Sequence, residues 1–171
     1  ISISLVRGDK IIWNTAHGLT NMKTKSQATP ETIYFTGSTY KAVTSTAMMV
    51  LVEQGKLKLD DPVNKHLGRM PIKDRLQSEK PVTIRHLLNH TSGLLNNTHT
   101  EELWGRTHPG KLDDLVSGLY TIRAPEEKFE YNNAAFGLAG FIIEKVSGMD
   151  LEEFINKHVF MPIGATTPGS I

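Results

Sequence analysis

The stretch Gly37-Ser-Thr-Tyr-Lys-Ala-Val-Thr-Ser-Thr-Ala-Met-Met-Val-Leu-Val-Glu-Gln-Gly55 decides how this chain is read. Tyr40, Val43, Ala47, Val50 and Leu51 recur at steps of three and four and mark one apolar stripe of a helix. Gly55 stands where a C′ residue belongs. If Ser38 opens the helix, Lys41 lies one turn further on, and side chains at that spacing are neighbours with Cβ atoms about 5–6 Å apart. A serine hydroxyl becomes a nucleophile only when a base takes its proton. A lysine ammonium serves as that base only if burial or nearby cations lower its pKa. The free backbone N–H groups of a helix start, that of Ser38 included, can also face the oxyanion formed in acyl transfer. One turn therefore carries a candidate nucleophile, a candidate base and half of an oxyanion hole. The plainer alternative makes Ser38 an N-cap and Lys41 a solvated lysine of the first turn. Ser-x-x-Lys is too common a pattern to choose between them alone.

Toward the N-terminus, Ile1-Ser-Ile-Ser-Leu-Val-Arg-Gly-Asp-Lys-Ile-Ile-Trp13 reads as a β-hairpin. Ile1, Ile3 and Leu5 alternate with polar residues, Gly8-Asp9 is a turn signal, and Ile11-Ile-Trp13 returns. A lone hairpin is marginal in water, so these strands are expected to join a larger sheet. Few other strand signals are present, and residues 20–36 read as polar and turn-rich around Pro30. Toward the C-terminus the chain becomes helical. Leu57 and Leu59 anchor a connector, and Thr83 is placed to cap a short helix carrying Ile84, Leu87 and Leu88, closed by His90-Thr-Ser-Gly93. Leu112, Leu115, Val116 and Leu119 mark another helix, and Ala134–Val146 a third, stopped by Ser147-Gly148. Asp150-Leu-Glu-Glu153 has the form of a capping box for a last helix through His158, ended by Pro162 and Gly164.

Composition narrows the function. The 171 residues are 39% hydrophobic and 22% charged, a globular balance. Nineteen basic residues against 18 acidic leave a net charge of +1, without the positive field that nucleic acid requires. There is no cysteine, which excludes disulfides, Cys-ligated zinc and a thiol nucleophile. That absence is compatible with an oxidising compartment, and the expectation leans to the periplasm or the extracellular space. The longest nearly apolar runs, Ala47–Val52 and Phe136–Ile143, are far short of the ~20 residues of a membrane span.

A second candidate constellation is Tyr131-Asn132-Asn133. A tyrosine near a lysine can have its pKa lowered and relay protons. The Asn133 amide can hold a substrate carbonyl and touch the lysine. The alternative is a buried Tyr with a satisfied hydroxyl and an Asn that caps the next helix. His86 and His90 are spaced like a helical zinc pair, but Thr91-Ser-Gly93 ends the helix at once and no Glu between them serves as a base. His99 and His108 fall in polar loop. Capping or surface roles are expected for the histidines, a packing role for Trp104, and no metal or other cofactor.

Four blocks occur in one order: Phe35-Thr-Gly-Ser38-Thr-Tyr-Lys41, Gly55-Lys-Leu-Lys-Leu-Asp-Asp-Pro-Val63, Val82-Thr-Ile-Arg-His-Leu-Leu-Asn-His-Thr-Ser-Gly-Leu94 and Phe129-Glu-Tyr131-Asn-Asn133. Together they resemble the serine β-lactamase and penicillin-binding-protein-like hydrolases of the class C type. That group includes D-amino-acid peptidases and family VIII carboxylesterases. The resemblance implies an α+β fold of the β-lactamase/transpeptidase type. A mostly helical domain, residues 61–171, would join residues 1–60, the N-terminal strands and nucleophile-bearing helix of a sheet domain. It also implies that Ser38 is acylated and offers its N–H to the oxyanion, and that Lys41 accepts the serine proton. Tyr131 would shuttle protons to the leaving group and to water, and Asn133 would orient substrate. Which residue is the base is disputed among Ser-x-x-Lys enzymes, so Lys41 and Tyr131 are taken as a pair.

One family motif is missing. The Lys- or His-x-Gly strand, which supplies the second oxyanion donor, has no convincing copy here; Lys10, Lys56 and Lys111 are misplaced or lack the pattern. The resemblance spans about the first half of a family member. The chain is therefore expected to be the N-terminal portion of a split, cleaved or otherwise partial hydrolase, its antiparallel sheet completed by a further segment or a second chain. Three functions follow: an acyl-enzyme hydrolase of β-lactams, D-peptides or short esters; a non-catalytic relative that binds such ligands; and a fragment inactive until its partner is added. An intact-mass spectrum of the native protein should show more than the 19.0 kDa species; this species alone, with no second polypeptide, overturns the expectation.

Overall fold

A computed structural model describes residues 1–96 and 118–165. The chain divides into two compact units, Ile1–Gly37 and Ser38–Ile171. In the first, β1 (Ser2–Arg7) and β2 (Lys10–Ala16) form the expected antiparallel hairpin across Gly8-Asp9. Leu5 pairs with Trp13 and Val6 with Ile11, with a shift of register between Leu5 and Val6. Ile3, Leu5, Val6, Ile11, Ile12 and Trp13 all remain exposed, so successive side chains on both faces of the hairpin lack cover. A second ladder, β3 (Leu19–Asn21) with β4 (Ser26–Gln27), lies where the sequence reads only as turn. Its signal is short-range and polar: the Asn21 side chain accepts from the N–H groups of Lys23 (2.9 Å) and Thr24 (3.1 Å), which closes the turn. Strands of two or three residues carry no hydrophobic alternation from which to recognise them.

The second unit holds the core. Helix α1 (Tyr40–Glu53) buries Thr44, Ala47, Met48 and Leu51, so the stripe is centred one residue away from Val43 and Val50, which are only half-buried. Its end closes as the sequence predicts. Gly55, at φ +69°, donates to Val52 O (2.9 Å) and Lys56 N–H to Leu51 O (3.0 Å), which satisfies the last carbonyls. Helix α1 begins at Tyr40 rather than at Ser38; a 3-10 turn, Gly37–Thr39, precedes it.

Helix α2 (Ile84–Leu88) starts after Thr83, whose N–H is accepted by His86 Nδ1 at 3.2 Å, so His86 does the expected capping work. Helix α3 (Asn133–Ser147) is capped by Asn132, whose Oδ1 accepts from Ala135 N–H at 2.8 Å, and ends at Gly148 with φ +72°. Helix α4 (Leu151–Ile155) follows Asp150 and is extended by a wide turn, Asn156–Phe160, and a 3-10 turn, Met161–Ile163. This last run passes His158 because the apolar residues Phe154, Ile155 and Val159 continue the buried face. Pro162 stands at the start of the 3-10 turn, where an N–H would have no partner within the turn.

Helix α3 is the hub. It touches α1, α2 and α4, and its Leu138, Phe141, Ile142 and Ile143 are fully buried with Met48, Leu51, Ile84, Leu87 and Phe154. Each such side chain contributes about 1.5–3 kcal/mol on burial. Helix α1, grouped with the strands by the sequence reading, packs on α3 within the second unit. Of the helix expected around Leu112–Leu119, the part before residue 118 lies outside the described residues, as do His99, Trp104 and His108. Leu119 itself is buried in extended chain, its carbonyl accepting from Lys73 N–H at 3.0 Å.

That extended chain runs past the end of the His90-Thr-Ser-Gly93 segment. Gly93 O accepts from Ile122 N–H (2.8 Å), and Leu95 N–H donates to Tyr120 O (3.0 Å). Gly93 has φ +65°, and a Cβ there would overlap the carbonyl of Arg123. Both backbone conformation and close approach therefore demand glycine. Gly93→Ala should cost at least about 2 kcal/mol in urea unfolding; a loss below about 0.5 kcal/mol would show that this approach is not a constraint.

Candidate active site

Two helix beginnings build the site. Gly37, in the left-handed region at φ +53°, swings the chain into the turn that carries Ser38, and Lys41 follows on the first turn of α1. From the other direction, extended chain delivers Tyr131 immediately before α3, and Asn133 is the first residue of that helix. The packing of α1 on α3 brings the four predicted residues together. Tyr131 OH donates to Ser38 Oγ at 2.6 Å. Lys41 Nζ lies 3.3 Å from the same oxygen and donates to Asn133 Oδ1 at 2.6 Å. The ammonium also stands 4.8 Å from the centroid of the Tyr131 ring and 5.5 Å from that of Phe136.

This arrangement changes the acidity of the phenol. The hydrogen bond from Lys41 pulls the Tyr131 pKa below its ordinary value, and the bond with Ser38 adds to the effect. A cation beside the ring favours the phenolate, which is the form that can take the serine proton. Ser38 is exposed, so a substrate carbonyl can approach its hydroxyl.

Three further residues hold the Tyr131 segment, and the sequence gives little notice of them. Asn132 is buried; besides capping α3, its Nδ2 donates to Leu94 O at 2.7 Å. Asn96 spans the segment, accepting from Asn133 N–H (3.0 Å) and donating to Tyr131 O (3.1 Å). His90 Nδ1 accepts from Asn132 N–H at 3.1 Å. No spacing links residues 90 and 96 to residues 131–133; the block His86-Leu-Leu-Asn-His90-Thr-Ser-Gly93 carries His90 as part of the family resemblance but stops short of Asn96. His90 has φ +62°, a conformation that costs a non-glycine residue on the order of 1 kcal/mol and is best tolerated by Asn, Asp and His. Burial first, and then the charge of Lys41, push its pKa below the ordinary histidine value. Among the described residues, no group of three His, Asp or Glu side chains is placed to hold a metal ion. Nor is any helix there long and apolar enough to cross a membrane.

Comparison with known proteins bears on the family and the fold. A family model described as Beta-lactamase matches residues 1–170. The chain is 32% identical over 165 residues to the Bacillus subtilis (strain 168) protein PbpX, which carries a penicillin-binding-protein name, covering 96% of this chain and 40% of that one. Among solved structures it is similar to the octameric penicillin-binding protein homologue of Pyrococcus abyssi. The TM-score is 0.80 at 34% identity, over 96% of this chain and 39% of that one. It is also similar to EstCE1, described as a hydrolase with promiscuous acyltransferase activity. There the TM-score is 0.78 at 27% identity, over 95% of this chain and 46% of that one. The chain thus spans less than half the length of each.

The lowered pKa of His90 has a consequence for stability. Below about pH 6.5 the unfolded chain binds a proton that folded His90 resists, so stability is complete above that pH and falls as the pH drops through the folded pKa. Asp60, Asp61, Asp74 and Glu126 are all held below their ordinary range and give up their contribution only below about pH 4.5. Urea midpoints should therefore already decline between about pH 6.5 and 5. His90→Asn should flatten that part of the curve; an unchanged slope would remove His90 as its source.

Proposed function

This chain belongs to the beta-lactamase family, and on that premise we propose that it carries the nucleophilic half of a serine acyl-transfer hydrolase. The observation that carries the reading is the meeting of Ser38 Oγ with Tyr131 OH at 2.6 Å and with Lys41 Nζ at 3.3 Å. The Lys41–Tyr131 pair removes the proton of Ser38 as Oγ bonds to the carbonyl carbon of an amide or ester. The negative charge on the carbonyl oxygen is met by the Ser38 backbone N–H. Collapse of the tetrahedral adduct breaks the bond to the amine or alcohol, which leaves with the proton held by Tyr131. Water then gives a proton to Tyr131, attacks the Ser38 ester, and releases the acid as Ser38 recovers its hydrogen. Asn133 fixes Lys41 and presents its amide to the substrate.

The second oxyanion donor, on a Lys- or His-x-Gly strand, is proposed to come from a further segment or a second chain. Residues 1–60 would enter that completed sheet domain, with residues 61–171 as the helical domain. The exposed apolar side chains of β1 and β2, and the coverage of 39–46% of the solved relatives, support this. The names of the relatives, which speak of penicillin binding, hydrolysis and acyl transfer, favour β-lactams, D-peptides or short esters as substrates. Discrimination among these lies in pocket walls rather than in the Ser–Lys–Tyr set.

A fluorescent penicillin and a fluorophosphonate should label the full-length protein at Ser38, and Ser38→Ala should abolish labelling. Lys41→Ala and Tyr131→Phe should each slow acylation by about 10³-fold, as loss of one member of a catalytic unit does. Reversible binding without an adduct would instead favour a non-catalytic relative. Labelling of this chain only after a partner segment is added would identify it as a fragment inactive alone.

A further inference from the structure

Tyr131 precedes a helix, its ring is exposed, and it needs something to keep its phenol on Ser38. One residue grips the chain on both sides of it. Glu130 N–H donates to the backbone carbonyl of His90 at 2.8 Å, and Asn132 N–H donates to His90 Nδ1 at 3.1 Å. The imidazole also lies against the Tyr131 ring, with centroids 4.7 Å apart and planes tilted by 36°. Phe136 at 5.1 Å and Phe129 at 5.7 Å pack against the other parts of the imidazole.

From these contacts we infer that His90 is a positioning residue for the reaction proposed above: as a neutral imidazole it offers Nδ1 as the acceptor that fixes the Tyr131 backbone so that the phenol reaches Ser38. A backbone N–H can only donate, so Nδ1 carries no proton and the neutral ring is protonated at Nε2. A second proton would remove the acceptor that Asn132 uses. It would also place a cation near Lys41, which faces this cluster from α1, while the Glu130 carboxylate is already paired with Arg123. The half-buried site and the neighbouring ammonium keep the ring neutral, which is the state its role requires.

Two substitutions separate positioning from mere support, tested in the protein at its full natural length. His90→Asn places Oδ1 near the position of Nδ1 and suits the left-handed backbone. His90→Phe keeps the ring contacts but has no acceptor. The phenol of Tyr131, followed by NMR of [13Cζ]tyrosine, should titrate below the ordinary value of about 10 in the wild type and in H90N, and should return toward it in H90F. Acylation by a fluorescent penicillin should fall about 10²-fold in its maximal rate in H90F, with little change in the half-saturating concentration, because a displacement of about 1 Å at a reacting group costs that much. H90N should stay within threefold of the wild type. The inference fails if H90F leaves the Tyr131 titration unmoved, or if folded H90N loses the rate as fully as H90F. Should H90F not fold, the H90N result decides alone. If the titrations follow this pattern while wild-type protein forms no acyl-enzyme, the acyl-transfer reading fails and the positioning role stands.

Discussion

The contact between Lys41 Nζ and Asn133 Oδ1, at 2.6 Å, closes a span of 92 residues and joins the first turn of α1 to the first turn of α3. Everything in the site follows from that junction. With the ammonium held there, its hydrogen bond and charge act on the phenol of Tyr131 and its donor hydrogens face Ser38. The junction exists because α1 and α3 pack against each other in the core. Ala47, Met48 and Leu51 pack in the same cluster as Leu138, Phe141 and Ile142. Core packing is stiff, so the relative placement of two helix starts can be held to within tenths of an ångström. The acyl transfer proposed for this site needs that tolerance.

Around this junction the polar groups form a consistent electrostatic set. Lys41 is the cation on which the site depends, and each neighbour is adapted to it. Asn133 offers an oxygen, Tyr131 is made more acidic, and His90 is kept neutral. The same charge thus favours an anion on one ring and opposes a cation on another. The scaffolding beneath is built of backbone bonds. Residues 93–95 pair with 120–123, and the close approach at Gly93 permits it.

The sequence reveals some parts of this chain better than others, for reasons that differ by residue. The 3.6-residue period exposed α1 and α3, although it placed the buried centre of α1 one position off because Thr44 and Met48 were not counted among its apolar residues. Gly55, Gly148 and Asp150 marked helix ends through local chemistry that involves only neighbouring residues. The β3–β4 ladder escaped notice because its pairing uses backbone groups, which every residue carries. Ser38 and Lys41 were legible as a pair because one helical turn fixes their spacing. Tyr131 and Asn133 became legible only through the order of four motifs along the chain.

What the amino-acid sequence determined by itself is local: helix periods, caps, turns, the absence of thiols, and the residue types able to carry acyl-transfer chemistry. These depend on interactions over a few residues, which the chain order states directly. The tertiary structure alone decided that the Tyr131 hydroxyl meets Ser38 across 93 residues, and that Asn96 and His90 hold the Tyr131 segment. Those contacts depend on the path of extended chain between helices. That path is set by long-range backbone bonds and core packing, for which no single stretch of sequence carries a period or a motif.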